Sequence, residues 1–387
     1  MSYDEVTVES LREVGGVKWS KFPDAIGAFV AEMDFGVAPP ISKALNSLND
    51  KGLFGYLPAW LASEMKEATR DWYASHYGWE FDVDSVAALP DVIKGLEVAL
   101  EHYCPPGSKV VLPTPAYMPF FKVPGMYNRD IIEVPMIQTE TSWELDYDGI
   151  DQAFADGGGL FIMCNPHNPI GKVYTPAEME RVAQIVDKHG GRVFSDEIHA
   201  PLVFSDAKHV SYASINSTAA GHTVTATSAS KAWNLPGLKC AQLILSNDPD
   251  REKFVDIGFF ASHGAANHGV AANATAYRDG ASWLGEVMEY LEGNRTLLGE
   301  LIEKHLPGAK YISPQGTYLA WIDVNDLGIE GNARDFFLEH ADVALVDGAA
   351  CGKVGVGCIR YNFATPRPVM EQTFAAMAAA LSRANAA

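Results

Sequence analysis

The sequence predicts an α/β fold in which a large domain, built on a mostly parallel sheet flanked by helices, carries a smaller α+β domain. Two observations lead there. Residues 159–164 and 191–196 are apolar runs of the kind that form strands buried on both faces, and residues 176–189 between them have an amphipathic helical pattern. That trio is a βαβ unit, and it implies neighbouring parallel strands. The second observation is the alternation around it: 63–76 and 92–103 are helix-like, 109–112 is strand-like, and Thr-Val-Thr-Ala-Thr at 223–227 is β-prone before it runs into small polar residues. A strand ending that way reads as the entry to a ligand-facing loop.

The large domain is expected over residues 40–283. Residues 1–39 and 284–387 form the small domain, with strand-like segments at 318–323 and 358–363 and an Ala-rich helix at 369–384. A chain of 387 residues with 48% hydrophobic content has ample material for both cores. The net charge of −20 opposes binding to nucleic acid or to an anionic membrane. No charged-then-apolar leader and no apolar run of membrane-spanning length is present, so a cytoplasmic protein is expected. The five cysteines, Cys104, Cys164, Cys240, Cys351 and Cys358, are scattered without Cys-x-x-Cys spacing. They are expected to be buried thiols, with neither a disulfide frame nor a metal site. The glycines at 352, 355 and 357 are wrongly spaced for a dinucleotide loop and precede a strand, so they are expected to form a tight turn.

The chemistry-bearing residues fall at the ends of the expected strands. Ser228-Ala-Ser230-Lys231 follows the 223–227 strand and places a lysine among hydroxyls, with a second cation, Lys239, close behind. Lysine is the side chain whose pKa shifts readily on desolvation, and its amine can attach covalently to a carbonyl cofactor. Asn165-Pro-His-Asn168-Pro-Ile-Gly171 follows one strand of the βαβ unit, and Asp196-Glu-Ile-His199 follows the other. Ligands in open α/β sheets sit beyond the carboxyl ends of the strands, so Asn168, Asp196, His199 and Lys231 are expected to converge on one crevice. A carboxylate facing a lysine-bound heterocycle is what pyridoxal 5′-phosphate (PLP) requires, because it keeps the pyridine nitrogen protonated.

Those three motifs, taken in order, resemble the fold-type I PLP-dependent enzymes of the class I/II aminotransferase superfamily, and the resemblance runs from about residue 19 to 367. It implies the PLP-dependent transferase fold and a set of roles. Lys231 is expected to bind the cofactor covalently and then to move the substrate Cα proton. Asp196 is expected to pair with the pyridine nitrogen, Asn168 and His199 to approach the phenolic oxygen, and Tyr117 to stack on the ring. Ser228, Ser230, Lys239 and the backbone N–H groups of Val92 and Ile93 match the phosphate-binding positions, and Tyr56 matches a tyrosine that reaches the phosphate from a second subunit. That last match implies a homodimer. Arg360 matches the arginine that grips the substrate α-carboxylate through its planar fork, assisted by the main chain at Ala31, with Arg367 as second choice.

A narrower resemblance lies in Lys18-Trp19-Ser-Lys-Phe-Pro, in Phe29-Val-Ala-Glu-Met-Asp-Phe35 and in Phe54-Gly-Tyr56. These are similar to the cysteine-S-conjugate β-lyase subgroup, although Phe29 and Glu32 stand where the subgroup usually has Trp and Asp. The resemblance implies α,β-elimination on cystathionine or a related small sulfur amino acid, giving a thiol, pyruvate and ammonia. The motifs shared by the wider superfamily fit an aminotransferase equally, and a regulatory protein that merely carries the cofactor is a third reading.

Overall fold

The computed structural model describes residues 3–384. A seven-stranded sheet forms the centre, from β1 (Val86–Leu89), β2 (Lys109–Thr114), β3 (Ile131–Pro135), β4 (Gly158–Cys164), β5 (Arg192–Asp196), β6 (Thr223–Thr227) and β7 (Ala241–Leu245), in the order β1-β7-β6-β5-β4-β2-β3. Pairing is parallel from β6 through to β3, and only β7 runs antiparallel to both of its neighbours. The strands β6 and β7 are buried at every position, as expected for central strands with both faces covered, although β6 carries three threonines.

The predicted βαβ unit is present as β4, the helix Pro176–Lys188 and β5. Thr175 starts that helix with a capping box: its hydroxyl accepts from the Glu178 N–H, and the Glu178 carboxylate accepts from the Thr175 N–H at 2.8 Å. The expected 92–103 helix is an α-helix over Val92–Val98 that widens into a π-turn over Ala99–Tyr103. The glycine-rich 352–357 stretch is indeed a turn, with Gly352 and Gly357 at φ 121° and 76°.

A second sheet of four strands, in the order β8-β9-β11-β10, is formed by β8 (Lys310–Tyr311), β9 (Leu319–Asp323), β10 (Val346–Asp347) and β11 (Cys358–Asn362). The long helix Ala281–His305 begins near the expected domain boundary and packs on the C-terminal helix Arg367–Ala384. The N-terminal segment lies along this second unit: Ile26–Gly27 pairs in parallel with Val343–Ala344, and the Asp34 N–H donates to Ala364 O at 3.0 Å. All five cysteines are buried and free. Among the described residues no helix is long and apolar enough to cross a membrane, and no cluster of His, Cys, Asp and Glu could hold a metal ion.

Candidate active site

Strand direction brings the site together. The carboxyl ends of β1, β2, β4, β5 and β6 lie on one edge of the sheet, and antiparallel β7 starts on that same edge. Asp196 ends β5; Asp91, Tyr117, Asn168, His199, Ser230 and Lys231 follow β1, β2, β4, β5 and β6, and Lys239 and Cys240 precede β7. All of them line one cavity of about 250 Å³, together with Ala31, Val92 and Ile93.

Lys231 is half-buried, and its Nζ donates to Ala31 O at 2.9 Å. Burial, and then the Arg360 charge, pull its pKa down to about 8. Asp196 is 4% exposed and accepts from the Ile198 N–H on Oδ1 at 3.1 Å. Burial drives its pKa up to about 7 despite that hydrogen bond. His199 is buried with Nδ1 unpartnered, and burial, then the positive charges of Lys231 and Arg360, hold its pKa down to about 3, so the ring is neutral. These are the perturbations expected where titratable groups are desolvated around a ligand.

Asn168 accepts from Arg360 Nη1 on Oδ1 at 3.2 Å, which turns its amide NH2 away from the guanidinium. Arg360 also donates from Nη2 to Phe29 O at 2.9 Å, while its buried Nε has no partner. It stands on β11, opposite Trp321 and Val346, behind the cavity lining. The loop that carries Asn168 is tied to the loop that carries Tyr117 by His167. Its Nε2 donates to Pro115 O at 2.8 Å, and Nδ1 accepts from the Tyr174 hydroxyl at 2.9 Å. Burial lowers the His167 pKa to about 4, so this bridge is a neutral imidazole.

Not every expected residue faces the cavity. The Ser228 hydroxyl donates inward to Cys240 O at 2.7 Å and accepts from the Ser230 N–H at 3.0 Å, so it braces the loop from behind. Arg367 donates through Nε to Asn294 at 3.3 Å and sits 4.4 Å over the Tyr290 ring. Tyr56 is 92% exposed and belongs to a separate depression of about 680 Å³, with Phe54, Phe259, His263 and His268. Lys239 lines the cavity in a left-handed conformation at φ 53°, and its Nζ pairs with Asp91 at 3.0 Å.

Several contributors were missed from sequence. Asp91 caps the helix at Val92 through Oδ1, accepting from the Lys94 N–H at 2.9 Å; its place before an apolar helical run was the available signal. Asn362 donates to Val30 O at 2.6 Å and Glu32 O at 2.7 Å, and Asn234 exchanges hydrogen bonds with the Met33 main chain. Lys18 and Trp19 both bond Asp34, at 2.7 Å and 2.8 Å. Together these side chains hold the strip 29–34 against the site, and no local pattern announces contacts across so much sequence.

The donor set fits PLP. The cavity holds an amine of lowered pKa, and opposite it a carboxyl whose charge burial disfavours until a cationic nitrogen compensates it. Beside them in the lining lie an orphaned imidazole nitrogen, Lys239, Ser230 and the first turn of the Val92–Val98 helix. Fold and site together define a fold-type I PLP-dependent enzyme.

Comparison with known proteins agrees. Residues 29–376 match the family model for aminotransferase class I and II. The chain is 36% identical over 375 residues to cystathionine β-lyase of Corynebacterium glutamicum, covering 97% of this chain and 99% of that protein. Its fold superimposes on cystalysin from Treponema denticola, a crystal structure containing PLP, with a TM-score of 0.92 at 26% identity, covering 99% of this chain and 100% of the other. It also superimposes on the PLP-bound C–S lyase of Staphylococcus hominis, with a TM-score of 0.90 at 27% identity and 98% coverage of each chain. The chain belongs to the class I and II aminotransferase family and, within it, to the cystathionine β-lyase and C–S lyase subgroup.

Proposed function

We propose that this protein is a PLP-dependent carbon–sulfur β-lyase that cleaves cystathionine or related cysteine S-conjugates to a thiol, pyruvate and ammonia. The carrying observation is the convergence of Lys231, Asp196 and Asn168 on one cavity, with Arg360 hydrogen-bonded to Asn168 behind it. The full-length similarity to a cystathionine β-lyase selects elimination from the reactions such a site can run.

When bound, the cofactor supplies an electron sink for the pair left at a substrate Cα. The protein's own residues do the rest. Arg360 draws in the α-carboxylate with its charge and its unpartnered Nε, while its bonds to Phe29 O and Asn168 fix the plane of the guanidinium. Lys231, with a pKa near 8, takes the proton from Cα close to neutral pH. Asp196 would keep the pyridine nitrogen of a bound cofactor protonated, and the neutral His199 and the Asn168 amide would hold its phenolic oxygen. Ser230, Lys239 and the N–H groups of Val92 and Ile93 would hold the phosphate, and Tyr117 would cover the ring. Departure of the sulfur with the C–S bonding pair and hydrolysis of the three-carbon remainder complete the reaction.

The site is completed by a second copy of the chain, which presents Tyr56 to the phosphate. Support comes from the exposure of Tyr56, Phe54, Phe259 and Phe260 at 92%, 70%, 69% and 78%, an aromatic surface uncommon on a monomer. The division into a large domain, 40–283, and a small one is proposed on the same footing, each having its own sheet.

Incubation with cystathionine tests the reading. Release of homocysteine, pyruvate and ammonia in equal amounts without any keto-acid acceptor is the expected result. Absence of pyruvate, together with amino transfer to a 2-keto acid, refutes it in favour of an aminotransferase.

A further inference from the structure

Two donors, one of them the reactive amine, share one backbone oxygen. Ala31 O accepts from Lys231 Nζ at 2.9 Å and from the Tyr318 hydroxyl at 3.0 Å. Tyr318 is fully buried, and its ring stands edge-on to His199 at 5.9 Å. Burial keeps its hydroxyl protonated far into the alkaline range, so it acts as a donor throughout. Nothing given by the family motifs assigned this residue a task.

Neither side of this contact is free to drift. On the acceptor side, Arg360, Asn362, Asn234 and the Lys18–Asp34 pair fix the strip around Ala31. On the donor side, Tyr318 follows a turn clamped to two site loops. The N–H groups of Gln315 and Gly316 both donate to Gly171 O at 2.9 Å, just beyond Asn168, and the Thr317 N–H donates to Leu202 O at 2.7 Å, just beyond His199. Thr317 is held at φ 68°, a region that β-branched residues avoid, and its Oγ1 accepts from the Leu319 N–H at 3.0 Å. A β-branched residue held there shows that the fold fixes the Tyr318 backbone against local preference.

A carbonyl oxygen that already accepts one hydrogen bond is a weaker acceptor for the next. We propose that Tyr318 is a positioning residue for Lys231: its hydroxyl occupies part of the acceptor capacity of Ala31 O, so that the oxygen locates the Lys231 amine without binding its proton tightly. The inference deepens the lyase reading and rests on Lys231 being the base. The charged groups that act on Lys231 are Arg360, Glu32 and Asp196, with His199, Tyr117, Asp91 and Lys239 also at the cavity, and every one of these side chains is retained when only the Tyr318 hydroxyl is changed.

The test reads Lys231 itself, apart from turnover. Trace acetylation of the cofactor-stripped protein across pH, quantified by mass spectrometry on the Lys231 peptide, reports the protonation midpoint of that amine. Tyr318→Phe keeps the ring and removes the donor, and the midpoint is expected to rise by about half a unit. A loosened pocket that let water reach Lys231 would also raise it. The opposite perturbation separates the two: 3-fluorotyrosine placed at position 318 is a stronger donor in the same shape, and the midpoint is then expected to fall. A fluorinated protein whose midpoint is unchanged or raised overturns the proposal, as does an unmoved midpoint in Tyr318→Phe. Failure of the wild-type protein to release pyruvate from cystathionine sinks the lyase reading instead and leaves this titration intact.

Discussion

Asp34→Asn is the sharpest probe of how the N-terminal signature serves the site. Asp34 accepts from two buried donors, Lys18 Nζ on Oδ2 at 2.7 Å and Trp19 Nε1 on Oδ1 at 2.8 Å. The Lys18 and Asp34 side chains are only 1% and 3% exposed. An asparagine of the same shape has one acceptor oxygen and one NH2, so in either orientation one donor faces another. It also leaves the Lys18 charge with neutral acceptors alone, the amide oxygen in one orientation and the Glu32 carbonyl at 3.4 Å in both. Neutralising one partner of a buried pair costs about 3–5 kcal/mol, because the remaining charge stays desolvated.

Urea unfolding of the cofactor-loaded protein reads that loss as a lowered midpoint at unchanged slope. Adding Lys18→Met to the variant is expected to restore part of the loss, since the stranded charge goes and the amide oxygen can turn to Trp19. Activity falls alongside, because Asp34 anchors the strip whose carbonyls meet Lys231 and Arg360. A drop of about tenfold or more in kcat/KM is expected for displaced positioning groups. If Asp34→Asn lies within about 1 kcal/mol of wild type, or if the double variant is strictly additive, the pair is not the latch described and the reasoning fails.

Three further outcomes follow from the site. In the cofactor-stripped protein Asp196, with its pKa raised to about 7 from 3.8, binds more protons when folded than when unfolded. Its contribution is therefore full at low pH and is lost as pH rises through the window from about 4 to 7, by an amount on the order of 4 kcal/mol. Asp196→Asn should flatten that part of the urea-midpoint profile, and an unchanged profile would show that Asp196 is solvated. Arg360→Lys keeps the charge but cannot serve Phe29 O and Asn168 together; a rise of roughly 10- to 100-fold in KM, larger than the fall in kcat, is expected in steady-state assays. Gly171→Ala adds a Cβ at φ 68° that overlaps Pro314 and presses on Gly316 O at 2.7 Å, so a loss of about 2–4 kcal/mol is expected by thermal or urea unfolding. A neutral result there would mean that the Asn168 loop and the 314–317 turn are not docked as described.

Local pattern was a good guide wherever one segment decides its own structure. The β4-helix-β5 unit is legible because two apolar runs buried on both faces and the helical periodicity between them are all written within a short stretch of chain. Lys231, Asp196 and Asn168 are legible for a related reason: each ends or follows a strand, and parallel strands deliver their carboxyl ends to one edge. Ser228 shows the limit. It stands in the phosphate-binding motif, yet its hydroxyl points back to Cys240 O, a choice made by the antiparallel strand packed behind it.

Sequence by itself determined the fold class, the order of the strands' functional loops and the residue types that a lysine-linked cofactor needs. These rest on short-range periodicity and on motif residues that carry their chemistry with them. Tertiary structure alone decided the states of those groups: the lowered pKa of Lys231, the raised pKa of Asp196 and the neutral His199 come from desolvation by segments far away in sequence. It also decided that Ala31 O would meet both Lys231 and Tyr318, residues 200 and 287 positions distant. A backbone carbonyl has no side-chain letter to announce it, so its role exists only once the chain has closed around it.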